Sequence, residues 1–331
     1  MEPIIRERFS DEILTAARQR YGVTPDQIKL LDGFESFMFE FEKEGAAYIL
    51  RLGHSRRRTP ELVHGEVAWI NYLADGGAGV ARAVLSPGGE LVELIPDGHG
   101  DYFLATAFAK ARGKPVWETD FWTREAFLEG YGRLLGRLHH LSQSYQPANL
   151  AWQRPAWDDL SNLIVHTTLT QADSLVSRRY QDVLAHLQAL PRTPDAYGMI
   201  HQDAHSGNFF VDEDGRITLF DFDDCVYGHF AYDLAMVLFY AVTNRPDADA
   251  FAAGFWPAFW RGYQMENELD AAWLQEIPHF MKLREIELYT LLMRDYGPEA
   301  LGHDSWATRY LHGRLQRIEQ NQPIVSLPFV A

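Results

Sequence analysis

Two short apolar runs, Phe209 to Val211 and Ile217 to Phe220, flank the turn-forming residues Asp212, Glu213, Asp214 and Gly215, a pattern that predicts a β-hairpin. A hairpin constrains what stands at its open ends, because paired strands lie about 5 Å apart. Asn208 precedes the first strand and Asp221 follows the second, so one cation could touch both side chains. An amide oxygen and a carboxylate, with positions left for water and phosphate oxygens, suit Mg²⁺ beside a nucleotide. Asp223 is a further candidate ligand on the same extended segment. The loop ahead of the hairpin holds His201, Asp203 and His205. Asp203 would then be available to orient a substrate hydroxyl and accept its proton. Positioning and charge neutralisation supply most of the rate in phosphoryl transfer, so these few residues suffice if a nucleotide is held opposite them.

The sequence HQDAHSGN, from His201 to Asn208, fits the HxDxxxxN pattern of kinase catalytic loops, and Asp221 in FDFDD falls where the metal-binding Asp of DFG follows. Together with Gly228 and the run Asp233, Leu234, Ala235, the segment resembles the aminoglycoside phosphotransferase and choline kinase-like family. That resemblance implies an α+β, bilobal protein-kinase-like fold with a small antiparallel N-lobe and a larger, mostly helical C-lobe. It implies Asp203 as the catalytic residue, Asn208 and Asp221 as Mg²⁺ ligands with Asp223 beside them, and ATP, with GTP as the alternative, as donor. Arg51, in AAYILRL, stands where kinases carry the phosphate-contacting strand lysine, and Glu66 stands on the next helix where its ion-pair partner would be. Gly33 and Ser36, in GFES, match a GxxS turn that covers the ATP phosphates in the family. The chain departs from the family at Gln202, where glycine is usual, and at Arg51, whose forked, permanently charged guanidinium replaces an ammonium. In the kinase pattern His201 supports the loop and the aspartate acts. Asp233, at the start of an apolar helix, reads as a buried cap that fixes the loop above it.

Along the chain, Ser10 can cap a helix ending near Tyr21 and Gly22. Phe37, Phe39 and Phe41 alternate with Met38, Glu40 and Glu42, and Gly45 turns the chain into a strand from Ala47 to Leu52. Pro60, behind Thr59, starts a second helix running to about Leu73. Strands follow at Val80 to Leu85, Leu91 to Ile95 and Tyr102 to Phe108. A helix bearing Phe127, Tyr131, Leu134, Leu135, Leu138 and Leu141 at clean apolar spacing opens the second lobe. Helical stretches at Trp157 to Leu169 and Leu175 to Leu190 precede the loop, and the chain reads as helical from Gly228 to about Gln320. The expected division is 1–109 for the nucleotide-binding N-lobe and 110–331 for the C-lobe.

The chain has 331 residues, 47% of them hydrophobic, and a formal charge of −16. That is enough apolar material for a large core. The acidity argues against nucleic-acid binding, which needs clustered Lys and Arg, and is compatible with a cationic substrate. The lone Cys225 rules out an internal disulfide and a multi-cysteine zinc site. No apolar run approaches the roughly 20 residues of a membrane helix and the N-terminus has no signal-peptide core, so a cytoplasmic location with no membrane partner is expected. The Arg56, Arg57, Arg58 run could receive a phosphate or an acidic partner, though such a run is more often a solvated loop.

The expected activity is ATP- and Mg²⁺-dependent transfer of the γ-phosphate to a hydroxyl of a small, metabolite-like or amino-containing acceptor. The resemblance implies that the helices near the C-terminus, with Glu285 and Glu287 among their acidic residues, flank the acceptor, where a carboxylate could hold an amino group. A protein Ser/Thr kinase of the bacterial stress-response type is the alternative, though no activation segment with APE follows Asp221. A nucleotide-binding module without catalysis is the second.

Overall fold

In the computed structural model, which describes residues 1–31, 33, 35–160, 162–163, 165–171, 174–296, 305–327 and 329, the chain divides into two compact units. Unit 1 comprises Met1–Gly113, Tyr145–Arg154 and Thr218–Asp223; unit 2 comprises Lys114–Ser144, Pro155–Ile217 and Asp224–Ala331. The elements of unit 1 are α1 (Pro3–Arg8), α2 (Asp11–Tyr21), β1 (Ile28–Leu31), β2 (Phe37–Lys43), β3 (Ala46–His54), α3 (Pro60–Asp75), β4 (Ala83–Val84), β5 (Glu93–Pro96) and β6 (Tyr102–Ala109). The strands form one antiparallel sheet in the order β1-β2-β3-β6-β4, with β5 also on β6.

Local chemistry explains most of these elements. Glu44 and Gly45 both take positive φ, 53° and 76°, the conformation a two-residue hairpin turn needs to match strand twist. The Ser10 hydroxyl accepts a hydrogen bond from the Ile13 amide at 3.4 Å, and Gly22 ends α2 with φ 64°. The buried face of α2, Ile13, Ala17 and Tyr21, packs with Phe39, Phe41, Leu50 and Leu52 of the sheet. Edge strand β1 escapes the apolar pattern because its side chains do not alternate and Leu30 is exposed. The expected strand from Val80 to Leu85 shortens to β4, and Val80 makes only an isolated bridge to Leu219.

Unit 2 contains α4 (Glu125–Ser142), α5 (His166–Gln171), α6 (Leu175–Gln188), β7 (Tyr197–Ile200), β8 (Phe209–Val211), β9 (Ile217–Leu219), β10 (Val226–His229), α7 (Phe230–Val242), α8 (Ala248–Gln264), α9 (Ile277–Tyr296), α10 (Trp306–Leu311) and α11 (Arg314–Glu319), with the last two residues of β9 counted in unit 1. The expected hairpin is β8-β9; Asp212 shapes its turn by accepting from the amides of Asp214 and Arg216. The expected helix over Trp157 to Leu169 is not formed: only His166–Gln171 is helical. Trp157 instead donates its backbone N–H to the Tyr227 carbonyl at 2.8 Å and buries its ring against Tyr232 and Phe280. A backbone committed to that bridge cannot continue a helical hydrogen-bond series. Two strands also went unread: β7 and β10 pair antiparallel, Ile200 opposite Val226. Among the described residues no helix is long and apolar enough to cross a membrane.

The α4–α8 crossing is built on glycine. A Cβ at Gly132 would lie 1.8 Å from the Phe259 carbonyl oxygen, one at Gly262 would lie 1.9 Å from that of Glu129, and one at Gly136 would lie 2.5 Å from that of Tyr263. The two backbones are therefore in contact, with no room for a methyl group. Gly132→Ala should lower stability by about 2–3 kcal/mol through overpacking, read as a reduced urea midpoint at unchanged m-value.

His229 is wholly buried among Tyr197, Trp273 and Phe280 and lies 3.2 Å from the Pro191 carbonyl through Nε2. Burial lowers its pKa to about 4, against the opposing pull of that carbonyl. The unfolded chain, with an ordinary histidine, takes up a proton first on acidification. The stability held by neutral His229 is thus intact above about pH 6.5 and is lost progressively down to about pH 4, by roughly 3 kcal/mol in all. Denaturant melts of the parent and His229→Gln at pH 7 and pH 5 should show a smaller acid penalty in the variant.

Candidate active site

Within unit 2, a buried carboxylate sets the shape of the loop. Asp233, in the first turn of α7, is wholly buried. Its Oδ2 accepts from the His201 amide at 2.9 Å and its Oδ1 from the Gln202 amide at 2.6 Å, while the His139 ring of α4 lies 3.2 Å from Oδ2. His139 is itself stacked on Phe230 at 4.4 Å and bonded to the Tyr263 hydroxyl at 2.8 Å. This is the buried support expected of Asp233. Gln202 stands at φ 70°, in the left-handed region where glycine is unstrained, which gives a physical reason for the glycine usual there. The bond to Asp233 helps hold the non-glycine residue in that conformation. Tyr131 of α4 donates to the Ala204 carbonyl, tying the next residue of the loop to the glycine-packed helix.

Asp203 is held by three neighbours. The Asn208 amide nitrogen donates to its carbonyl at 2.8 Å and to its Oδ2 at 3.1 Å. His205 accepts the Gly207 amide at Nδ1, 2.9 Å, which places the ring proton on Nε2, 3.3 Å from Asp203 Oδ2. Arg284 of α9 approaches Oδ1 at 3.5 Å and donates to the Tyr240 hydroxyl at 3.0 Å from Nε and 2.5 Å from a terminal nitrogen. The His205 ring rests on Tyr240 with centroids 4.2 Å apart. Burial pushes the Asp203 carboxyl upward, but His205, Arg284 and His201 together outweigh it and hold the group below the usual carboxylate range. Asp203 is therefore ionised at neutral pH. Since Asn208 gives its nitrogen to Asp203, its Oδ1 is the atom left for a cation. Together these residues can orient a hydroxyl and neutralise charge developing beside it.

Unit 1 gathers the other expected residues. Arg51 of β3 and Glu66 of α3 form a bidentate pair at 2.8 and 2.7 Å, both buried, with the guanidinium 5.1 Å from the Phe108 ring centroid. Ser36, Arg51, Arg57, Arg58 and Asp223 line one small pocket. Gly33 needs to be glycine because a Cβ there would fall 2.2 Å from the Ser36 carbonyl oxygen; Phe34 of the same turn lies outside the described residues. Phe222 is buried edge-on against Trp69 of α3, which anchors the segment carrying Asp221 and Asp223. Asp221 is exposed with φ 65°. Asp223 meets Arg57, with Arg58 at 3.4 Å and Arg51 at 3.8 Å, and its backbone carbonyl accepts from Arg154 at 2.7 Å. Burial opposes its ionisation, yet Arg57, Arg51 and Arg58 keep it below the usual carboxylate range.

The structure brings Asp203 and Asn208 together in unit 2, and Arg51 and Glu66 together in unit 1; Arg284 was not singled out from the sequence. Arg57 and Arg58, in the run open to an acidic partner or to solvent, take the acidic partner: both are ion-paired with Asp223, and Arg57 with Glu35 as well. Arg284 and Tyr240 lie on helices whose apolar spacing shows that they are helices but not which polar residues turn toward Asp203.

Known proteins share this architecture. The model of the phosphotransferase enzyme family matches residues 26–274. Amicoumacin kinase of Bacillus subtilis (strain 168) is 37% identical over 332 residues, covering 99% of this chain and 97% of its own. An amicoumacin kinase solved in complex with AMP-PNP, Ca²⁺ and Ami superposes with a TM-score of 0.90 at 32% identity, covering 99% of both chains. The microcompartment-associated aminopropanol kinase shares the fold at a TM-score of 0.74 and 24% identity, over 94% of this chain and 97% of its own. With the family pattern matched over most of its length and a full-length relative above 30% identity, the chain belongs to the phosphotransferase enzyme family and has its protein-kinase-like fold.

Proposed function

We propose that the protein transfers the γ-phosphoryl group of ATP to a hydroxyl of an amino-containing small molecule of the amicoumacin kind. The observation that carries this reading is the constraint on Asp203 by Asn208, His205 and Arg284, in a chain alike over its whole length to amicoumacin kinase. Residues 1–109 would bind the nucleotide and 110–331 the acceptor. Asn208 Oδ1 and the Asp221 carboxylate are oxygen donors and fit Mg²⁺, which when bound neutralises charge on the phosphates.

A carboxylate as acidic as Asp203 is a weak proton acceptor in the ground state. Its role is to aim the acceptor hydroxyl and to take the proton late, as oxygen bonds to phosphorus, which suits a loose phosphoryl transition state. Arg284 and His205 keep it ionised and fixed in rotamer. Arg51, oriented by Glu66, would clamp the donor phosphates, and the Gly33 to Ser36 turn would cover them. Arg57 and Arg58 leave Asp223 with arginine partners, so it would act beside the metal as their counter-charge.

Incubation with ATP, Mg²⁺ and amicoumacin should release ADP in step with a mass gain of one phosphoryl group on amicoumacin. ADP release no faster than ATP hydrolysis alone, with amicoumacin, aminopropanol and aminoglycosides all tried, would overturn the reading. Asp203→Asn should lower kcat by about a thousandfold while the KM for ATP stays within a factor of a few. Glu66→Gln removes the bidentate carboxylate that orients Arg51, with Asp223 left only at 3.8 Å, and should raise the KM for ATP on the order of tenfold or more, with little change in the KM for the acceptor.

A further inference from the structure

Where α6 passes the start of α9, two histidines and a glutamate converge. Glu276 closes the 3-10 turn Ala271–Glu276, and His279 lies three residues on in the first turn of α9, a spacing that puts both side chains on one face. Pro278 between them restricts the backbone, and the wholly buried Ile277 and Phe280 seat the segment in the core. His186 comes from α6, next to the wholly buried Leu187. Its Nε2 lies 2.6 Å from Glu276 Oε2, and His279 Nδ1 lies 3.2 Å from the same oxygen. The two imidazole centroids are 4.2 Å apart.

Hydrogen bonding alone leaves this cluster incomplete. His186 can donate to Glu276, but His279 Nδ1 is shielded from solvent and makes no hydrogen bond despite its distance from the carboxylate. A buried ring nitrogen of that kind calls for a partner. Among the described residues no lysine or arginine pairs with Glu276 either. Two imidazole nitrogens and one carboxylate oxygen, all within 4.8 Å of one another, are a donor set that zinc takes when its fourth place is left to water. In a tetrahedron with bonds of about 2.0–2.1 Å the donor atoms stand roughly 3.3 Å apart, so small side-chain rotations close the site. The side chains of His186 and His279 are 44% and 45% exposed, which gives an ion and its water ligand access from solvent.

We propose that His186, Glu276 and His279 bind a divalent transition-metal ion of the zinc class. Imidazole ligands select Zn²⁺ over Mg²⁺, which takes oxygen donors, so this ion differs from one that accompanies a nucleotide. The site joins α6 to the start of α9, across 90 residues of sequence. Its effect is on the cohesion of unit 2, because the helix it pins is the one from which Arg284 reaches Asp203. The proposal stands whether or not the phosphotransfer reading does.

The test uses tag-free protein stripped of metal with a chelator and then dialysed. Zn²⁺ titrated in competition with a chromophoric chelator should show one tight equivalent per chain, and excess Mg²⁺ should leave it in place. Co²⁺ substituted for Zn²⁺ should give the visible absorption bands of a four- or five-coordinate ion. His186→Ala changes an exposed helix position where alanine is favoured, so the variant should keep the circular dichroism of the parent. It should weaken Zn²⁺ binding by more than about a hundredfold, since loss of an outer-shell partner alone costs roughly 10–100-fold. Glu276→Gln should weaken it likewise, whereas Asp221→Ala, outside the cluster, should retain the equivalent. Saturating Zn²⁺ should raise the melting temperature of the parent by about 2–5 °C and leave that of His186→Ala unmoved. Equal Zn²⁺ affinity in the parent and His186→Ala overturns the proposal, and so does a parent that takes up no equivalent against the chelator.

Discussion

The loop that carries Asp203 depends on one buried anion. Asp233 receives two consecutive backbone amides, those of His201 and Gln202, and lies against the His139 ring. A carboxylate with no solvent contact is tolerable only when donors surround it, and here the donors are the loop itself. Folding the loop and satisfying Asp233 are one event. The same arrangement explains how Gln202 can hold a left-handed backbone: strain of this kind persists only where the surroundings over-determine it.

Electrostatic contrast then separates the roles of the carboxylates in unit 2. Asp203 has a ring nitrogen, an amide and a guanidinium around it, and it stays ionised. Glu285 is closed off by a lysine and an arginine and serves cohesion. Burial raises the carboxyl of Glu287, and Arg284 lowers it only in part. Three acids within one unit are thus distinguished by how completely their charge is answered, and that is a property of packing more than of residue type.

What could be read from the chain followed the range of the interactions. The cap at Ser10, the helix start at Pro60, the turn at Gly45 and the β8-β9 hairpin are written in adjacent residues and came out at nearly the observed positions. The HxDxxxxN spacing likewise gave Asp203 and Asn208, which the structure brings into hydrogen-bond contact. Elements closed by distant partners were misread. Strands β7 and β10 are short and pair across the whole loop, and Trp157 looked helical because its commitment to Tyr227 lies far along the sequence. The arginines near each site were illegible for a related reason. A charged residue signals its partner only when both lie on one local element, and Arg57 finds Asp223 166 residues further along the chain.

The glycine contacts between α4 and α8 bear on how such a site can drift over evolutionary time. Helices separated by side chains can slide by fractions of an ångström as rotamers readjust, but here Gly132 and Gly136, one turn apart, seat directly on the backbone at Phe259 and Tyr263. The next sterically permitted register is a full turn away, about 5.4 Å. Tyr131, next to Gly132, grips the Ala204 carbonyl, so the height of the loop above α4 is quantised. Arg284 of α9, by contrast, reaches Asp203 and Tyr240 through a long side chain, whose reach can change by rotamer while the loop's height stays fixed.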